Sequence, residues 1–230
     1  MNELFATVVH DVKNLLAELA LRLAKHEDLK TEVHLALDSA RRLTDLLLII
    51  KQDANLVAVN INAINPEDFL AALAAEYREL FPGLRIALDV SRAPLYGFFD
   101  DSLVRLAFGG AIHNACRHAR SQVGLAAYSQ DKQLVLEVCN DGERYPAEIL
   151  ANGGNAPAAA STRGTGLGLY LANRIAKLHQ QNGRQGCIQL VNQTGEAAAI
   201  PEGGATLNQS VTGMAGHDNQ AIATFRMVLP

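Results

Sequence analysis

The sequence predicts an α + α/β protein: an N-terminal helical hairpin that pairs with a second copy into a four-helix bundle, followed by an α/β sandwich. Three observations carry this class. Residues 2–52 contain no glycine or proline and repeat apolar side chains at helical spacing. Near residue 55 the pattern changes to short strands interleaved with capped helices. Gly164, Gly166 and Gly168 then run straight into a segment with Leu167, Leu171, Ile175 and Leu178 on one helical face. The division falls between parts 1–54 and 55–230.

In the first part, Leu4, Val8, Val12, Leu15, Leu19 and Leu23 step by three or four and define one apolar stripe. The charged stretch Lys25 to Glu32 reads as the turn. Ala36, Ala40, Leu43, Leu47 and Ile50 follow with the 4-3-4-3 spacing of a bundle seam. A lone hairpin leaves such a stripe partly uncovered, so a homodimer is expected.

In the second part, Leu56 to Ile64 alternates as a strand, and Asn65-Pro66-Glu67 is a capped start for a helix through Leu80. Pro82-Gly83 breaks that helix, and Leu84 to Val90 is strand-like. Asp100 or Asp101 caps a further helix to about Ala119. Val123 to Tyr128 and Gln133 to Cys139 form a hairpin around Gln130-Asp131-Lys132. After the glycine run and its helix come strands near Cys187 to Asn192 and Ala223 to Leu229. This order suggests helices on one face of a mixed sheet. Gly195 to Asn219, rich in Gly, Ala, Asn and Thr, reads as a long exposed loop.

Composition narrows the partners. A formal charge of -4 and a pI near 6.0 carry no footprint for nucleic acid or an anionic membrane. Apolar runs such as Leu46 to Ile50 are too short for membrane insertion, and Glu3, His10, Asp11 and Lys13 interrupt any leader-like core. Cys116, Cys139 and Cys187 lack metal or redox spacing and read as buried small hydrophobes, which fits a cytoplasmic location.

Two features carry chemistry. Glycine lets backbone N–H groups converge on an anion, and the helix start after Gly164-Thr165-Gly166-Leu167-Gly168 adds unpaired donors and a positive dipole end. That combination reads as a phosphate cradle rather than a plain flexible loop. The second feature is His10, which at 100° per residue lies opposite the Leu4/Val8/Val12/Leu15/Leu19 stripe. Either it belongs to a solvated polar face, or it is a nucleophile. In the latter case Asp11 orients the imidazole and accepts its proton, and Asn14, one turn on, holds a water or a phosphoryl oxygen.

A nucleophilic histidine on a hairpin, followed by a phosphate-cradling α/β domain, resembles the sensor histidine kinases of two-component signalling, with their GHKL-type ATP-binding domain. His10-Asp11-Val12-Lys13-Asn14 is similar to the phosphoacceptor box of that family. Ala111 to Ala119 is similar to its N box, which implies Asn114 as the Mg²⁺ ligand and Arg117 and His118 near the phosphates or ribose of ATP. Gly164 to Leu169 resembles the second glycine box, and Ala223 to Pro230 the closing strand. A side-chain amide is a suitable oxygen ligand for a Mg²⁺ that shares its shell with phosphates and water. Phosphoryl transfer then needs mainly positioning and charge neutralisation.

The chain departs from the family pattern at three places. The first glycine box of the family reads Asp-x-Gly-x-Gly, with its Asp on the adenine amino group. Here the best match is Asn140-Asp141-Gly142-Glu143-Arg144, which puts Asn140 at the adenine-reading position and Arg144 at the second glycine. Asp141 takes that role only after a one-residue slip, and a plain turn after the preceding strand is the remaining alternative. Residues 145–163, the expected mobile lid, include Ala151 to Ala160 with no aromatic. His10 stands near the start of the chain, so a separate sensory or input protein is expected.

The resemblance implies a soluble dimeric kinase that phosphorylates His10 from Mg·ATP and passes the group to an aspartate on a response regulator receiver domain. Asn14 implies phosphatase activity as well. The alternative is a histidine phosphotransferase or scaffold with a degenerate ATP-binding domain, which Asn140, Arg144 and the aromatic-free lid favour. ATP-hydrolysing machines such as gyrase place a glutamate base one turn before the metal-binding Asn. Here that position is Gly110, which argues against hydrolysis as the function.

Overall fold

The computed structural model describes residues 2–23, 26, 29, 32, 33, 35, 36, 39, 40, 43, 44, 58–156, 167–193 and 222–230. Helix α1 (Asn2–Leu23) opens the chain. After it the backbone is helical at positions 32, 33, 35, 36, 39, 40, 43 and 44. Ser39 and Thr44 donate their hydroxyls back to the carbonyls of Leu35 and Ala40, the i−4 bonds typical of such residues inside a helix. Ala36 and Ala40 are buried, in keeping with the expected seam, whereas Leu47 and Ile50 lie outside the described residues.

Of the expected stripe on α1, the side chains of Leu4 and Val8 lie outside the described residues. Among the described side chains of α1, Val9 and Ala20 are buried within one chain, while Val12, Leu15 and Leu19 are exposed. The helix therefore carries two apolar faces, because an aliphatic-rich sequence meets both the 9/20 line and the 12/15/19 line at helical spacing.

The remaining described residues build the α/β part. The expected strand over Leu56 to Ile64 is shorter: β1 covers only Asn62–Ile64 and pairs antiparallel with β3 (Gly97–Phe99). Helix α2 (Pro66–Leu80) starts where expected. Asn65 Oδ1 accepts the N–H groups of Glu67 (2.8 Å) and Asp68 (3.3 Å), and Pro66 occupies the first turn, where no N–H is needed. Strand β2 (Arg85–Arg92) follows, then α3 (Asp101–His118), capped by Asp100, whose Oδ1 accepts from Leu103 N–H at 3.0 Å.

Strands β4 (Gln122–Gln130) and β5 (Gln133–Asn140) form the expected hairpin. Asp131 and Lys132 at its tip have φ of 51° and 65°, the left-handed pair that matches the twist of the flanking strands. Helix α4 (Ala147–Asn152) falls in the segment expected to be a mobile lid, where no regular structure was anticipated. Helix α5 (Leu167–Leu178), the small hairpin of β6 (Gln180–Gln181) and β7 (Arg184–Gln185), β8 (Cys187–Gln193) and β9 (Ile222–Leu229) complete the chain. The loop expected over Gly195 to Asn219 lies outside the described residues.

The main sheet runs β2-β4-β5-β9-β8, with β2 and β4 parallel and the other pairs antiparallel. Alternation along β5 separates its faces. Leu134, Leu136 and Val138 join Phe108 and Ile112 of α3 and Leu171 and Ile175 of α5 in one core, as expected for helices on one side of a mixed sheet. Glu137 points the other way, where its Oε2 accepts from Arg226 Nε (2.6 Å) and Tyr128 Oη (3.0 Å). Cys116 and Cys139 are buried and Cys187 is half-buried, and burial pushes the first two thiols up to about 12, so all three behave as packing residues. Among the described residues no helix is long and apolar enough to cross a membrane.

Candidate functional site

The C-terminal end of β5 is where the sequence left two assignments open, and strand parity separates them. Asn140 continues the Leu136 and Val138 side, facing the helices, and is only 4% exposed. Its cross-strand partners are Val123 and Ala223, which offer no polar side chain, and Asn140 Nδ2 has no hydrogen-bond partner among the described residues. Leaving such a donor buried and unpaired costs about 1–3 kcal/mol. Thr224 Oγ1 is likewise unpartnered among the described residues, but it belongs to the opposite face, paired with Cys139.

Asp141 has a different task. Its Oδ1 accepts the successive N–H groups of Arg120 (2.9 Å), Ser121 (3.1 Å) and Gln122 (3.1 Å). Its Oδ2 accepts from Ser121 N–H at 3.2 Å and Ser121 Oγ at 2.6 Å. Burial acts to raise the Asp141 carboxyl, but the bonds from the Ser121 hydroxyl and the three N–H groups outweigh it and hold the pKa below the usual carboxylate range. The side chain thus pins the connection from α3 to β4. Both Asp141 oxygens are thus engaged by backbone N–H groups and the Ser121 hydroxyl.

Gly142 sits against the end of α3. A β-carbon there would lie 1.6 Å from the His118 carbonyl oxygen, so only glycine lets the two segments meet. His118 itself is turned toward Glu143, with Nδ1 at 3.5 Å from Oε2. Asn114 and Arg117 lie one turn and one residue before it, exposed on the same C-terminal half of α3. The first turn of α5 meets this half-helix: a β-carbon on Gly168 would stand 3.9 Å from Asn114 Nδ2. The described structure therefore brings Asn114, Gly168, Gly142 and the end of β5 around one stretch of α3. Leu167 opens α5, whereas Gly164, Thr165 and Gly166 lie outside the described residues.

Two neighbours of the site were not anticipated. Gly154, in the left-handed region at φ 75°, closes the turn after α4, and Asn173 of α5 donates to its carbonyl at 3.2 Å. A side chain at Gly154 would meet Leu169 O at 2.8 Å, so the base of the lid is docked onto α5. His179, fully buried, accepts the Asp100 N–H through Nε2 (3.0 Å) and uses Nδ1–H for the Ile175 carbonyl (2.8 Å). Burial holds its imidazole below the ordinary histidine range. A polar residue just after an apolar helix was the only local signal for it.

On α1, Asp11 and Asn14 are exposed, and His10 lies in the same helix with its side chain outside the described set. The expected contact between Asp11 and His10 therefore also falls outside it.

Comparison with known proteins gives this arrangement its class. Residues 99–209 match the family of histidine kinase-, DNA gyrase B-, and HSP90-like ATPases. Over this segment, a little under half of the chain, the sequence is similar to that ATPase family.

Among solved structures, full-length ShkA in complex with AMPPNP is 18% identical with a TM-score of 0.65 over 100% of this chain. The chain spans 46% of the length of that protein. The histidine kinase AdeS of Acinetobacter baumannii is 13% identical with a TM-score of 0.59, over 94% of each chain. The mycobacterial sensor histidine kinase MprB is 17% identical with a TM-score of 0.53, over 74% of this chain and 97% of the other. These likenesses show the shared fold. No curated protein matches the sequence.

Proposed function

We propose that this chain is a two-component histidine kinase that phosphorylates His10 from Mg·ATP and delivers the group to an aspartate on a response regulator. The observation that carries this reading is the meeting of Asn114 with Gly168, flanked by a buried amide at Asn140. Both features suit a nucleotide. The orphan Nδ2 calls for a ligand acceptor, and the missing side chain at Gly168 keeps the space beside Asn114 open. Asn114 Oδ1 is a suitable oxygen for a Mg²⁺ whose other ligands are phosphate and water. The N-terminus of α5 and the preceding Gly164-Thr165-Gly166 would hold the phosphates, and Arg117 and His118 would lie near the phosphates or ribose.

In this reading the His10 imidazole forms the new N–P bond as the bond to the β-phosphate oxygen breaks, with ADP as leaving group. Asp11 takes the displaced ring proton. Asn14 would position water for the reverse, phosphatase direction. Residues 1–54 serve as the dimerising phosphoacceptor part and 55–230 as the catalytic part. The exposed Val12, Leu15 and Leu19 line of α1 is the surface for the second copy in a four-helix bundle. A separate protein would supply the input.

A second reading has its own support. Asn140 in place of a carboxylate and Arg144 in place of a second glycine favour a histidine phosphotransferase with a degenerate nucleotide domain. Incubation with labelled Mg·ATP separates the two. Acid-labile label that a His10→Ala variant lacks supports the kinase. Absence of label and of nucleotide binding, with His10 still accepting phosphate from a phosphorylated receiver domain, rejects it in favour of the phosphotransferase.

A further inference from the structure

We infer that Asn140 makes the site accept 6-oxopurine nucleotides alongside 6-aminopurine ones. This rests on the nucleotide reading proposed above and specifies the base. Asn140 is 4% exposed on the helix-facing side of the sheet, and its Nδ2 finds no acceptor among the described residues. Its neighbours in the sheet and along the chain do not supply one, Val123 being apolar. Ala223 across the strand has only a methyl group, and both oxygens of Asp141 are taken by Arg120, Ser121 and Gln122.

A carboxylate at this position could only accept hydrogen bonds, which suits an amino group at C6 and repels a carbonyl there. An amide does both. With adenine, Oδ1 accepts from the 6-amino group while Nδ2 donates to N1. With hypoxanthine, a half-turn of the same amide lets Nδ2 donate to O6 while Oδ1 accepts from N1–H. Either base satisfies the buried donor, and the two edges have the same shape. Burial sharpens the effect, because a mismatched group at a dry position cannot turn to water instead.

The test is isothermal titration of the full chain with Mg·ADP and Mg·IDP, which differ only at the C6–N1 edge and carry no transferable γ-phosphate. The wild-type dissociation constants should agree within about tenfold, and Asn140→Asp should shift the ratio toward ADP by about tenfold or more. Urea unfolding of the variant, run in parallel, checks that it remains folded; the wild-type comparison needs no variant at all. A wild type that binds ADP at least about 100-fold more tightly than IDP overturns the inference and leaves the nucleotide reading standing. A ratio unmoved in folded Asn140→Asp overturns it equally. If the wild type binds neither diphosphate, the nucleotide reading fails and this inference with it.

Discussion

Gly142 and His118 meet backbone to backbone, so closely that a β-carbon on the glycine would overlap the histidine carbonyl oxygen at 1.6 Å. The obstacle is main chain on both sides, and no rotamer change can relieve it. Gly142→Ala must therefore separate the end of β5 from the end of α3, and overpacking of this kind costs about 3 kcal/mol. A lower urea midpoint is expected, together with weakened nucleotide binding. An alanine variant with wild-type unfolding would contradict the contact.

Asp141 should account for part of the acid limb of stability. Its folded pKa lies below the unfolded value, so its contribution is complete above the unfolded pKa near 3.8 and disappears as pH falls through the folded value. Asp141→Asn presents an N–H₂ group to a row of backbone donors and removes the charge. We expect a loss of about 3 kcal/mol at pH 7 and a flatter stability profile below pH ~4. Chemical denaturation across that range measures both.

His179 titrates in the opposite sense. Burial lowers its folded pKa, so the neutral ring is favoured in the native state and contributes fully above the unfolded value of about 6.5. As pH drops below that value the unfolded chain gains the proton first, and stability declines until the folded pKa is reached. His179→Ala removes this histidine's share of the slope. It also leaves the Asp100 N–H without its acceptor, at about 1–3 kcal/mol. Thermal unfolding of both proteins at pH 7.5 and 5.5 should show a smaller pH difference in the variant.

Gly168 offers a prediction in which folding and binding part company. A β-carbon there would be in ordinary contact with Asn114 Nδ2 at 3.9 Å, and the backbone is already helical. Gly168→Ala should leave stability unchanged or raise it by about 0.5–1 kcal/mol, because alanine suits a helix better. The added methyl nonetheless fills space beside the amide proposed to hold Mg·ATP, and affinity should fall by about tenfold. Calorimetry alongside thermal unfolding gives both readings.

Features encoded by neighbours in the chain were legible in the sequence. Asn65-Pro66 and Asp100 announce their helices because a cap acts over three residues, and the Asp131-Lys132 hairpin is contiguous. Strands β1 and β3, three residues each, are too short to show a period. His179 depends on a partner 79 residues away and could not be read locally. Asn140 and Asp141 were a harder case: alternation says that they face opposite ways, but only the packing of the helices says which way is in. On α1 the aliphatic content was high enough for two faces to satisfy the same spacing, and the sequence could not choose between them.

The paired residues at the end of β5 divide their duties unevenly. Asp141 holds the chain in place, whereas Asn140 Nδ2 has no partner among the described residues. Losing the Nδ2 donor at position 140 therefore breaks no hydrogen bond among the described residues, while a change at 141 is filtered by foldability. Ligand preference in such a domain can drift by single substitutions that leave no trace in expression or thermal stability. A stability screen of variants would pass over position 140, the residue proposed to read the base.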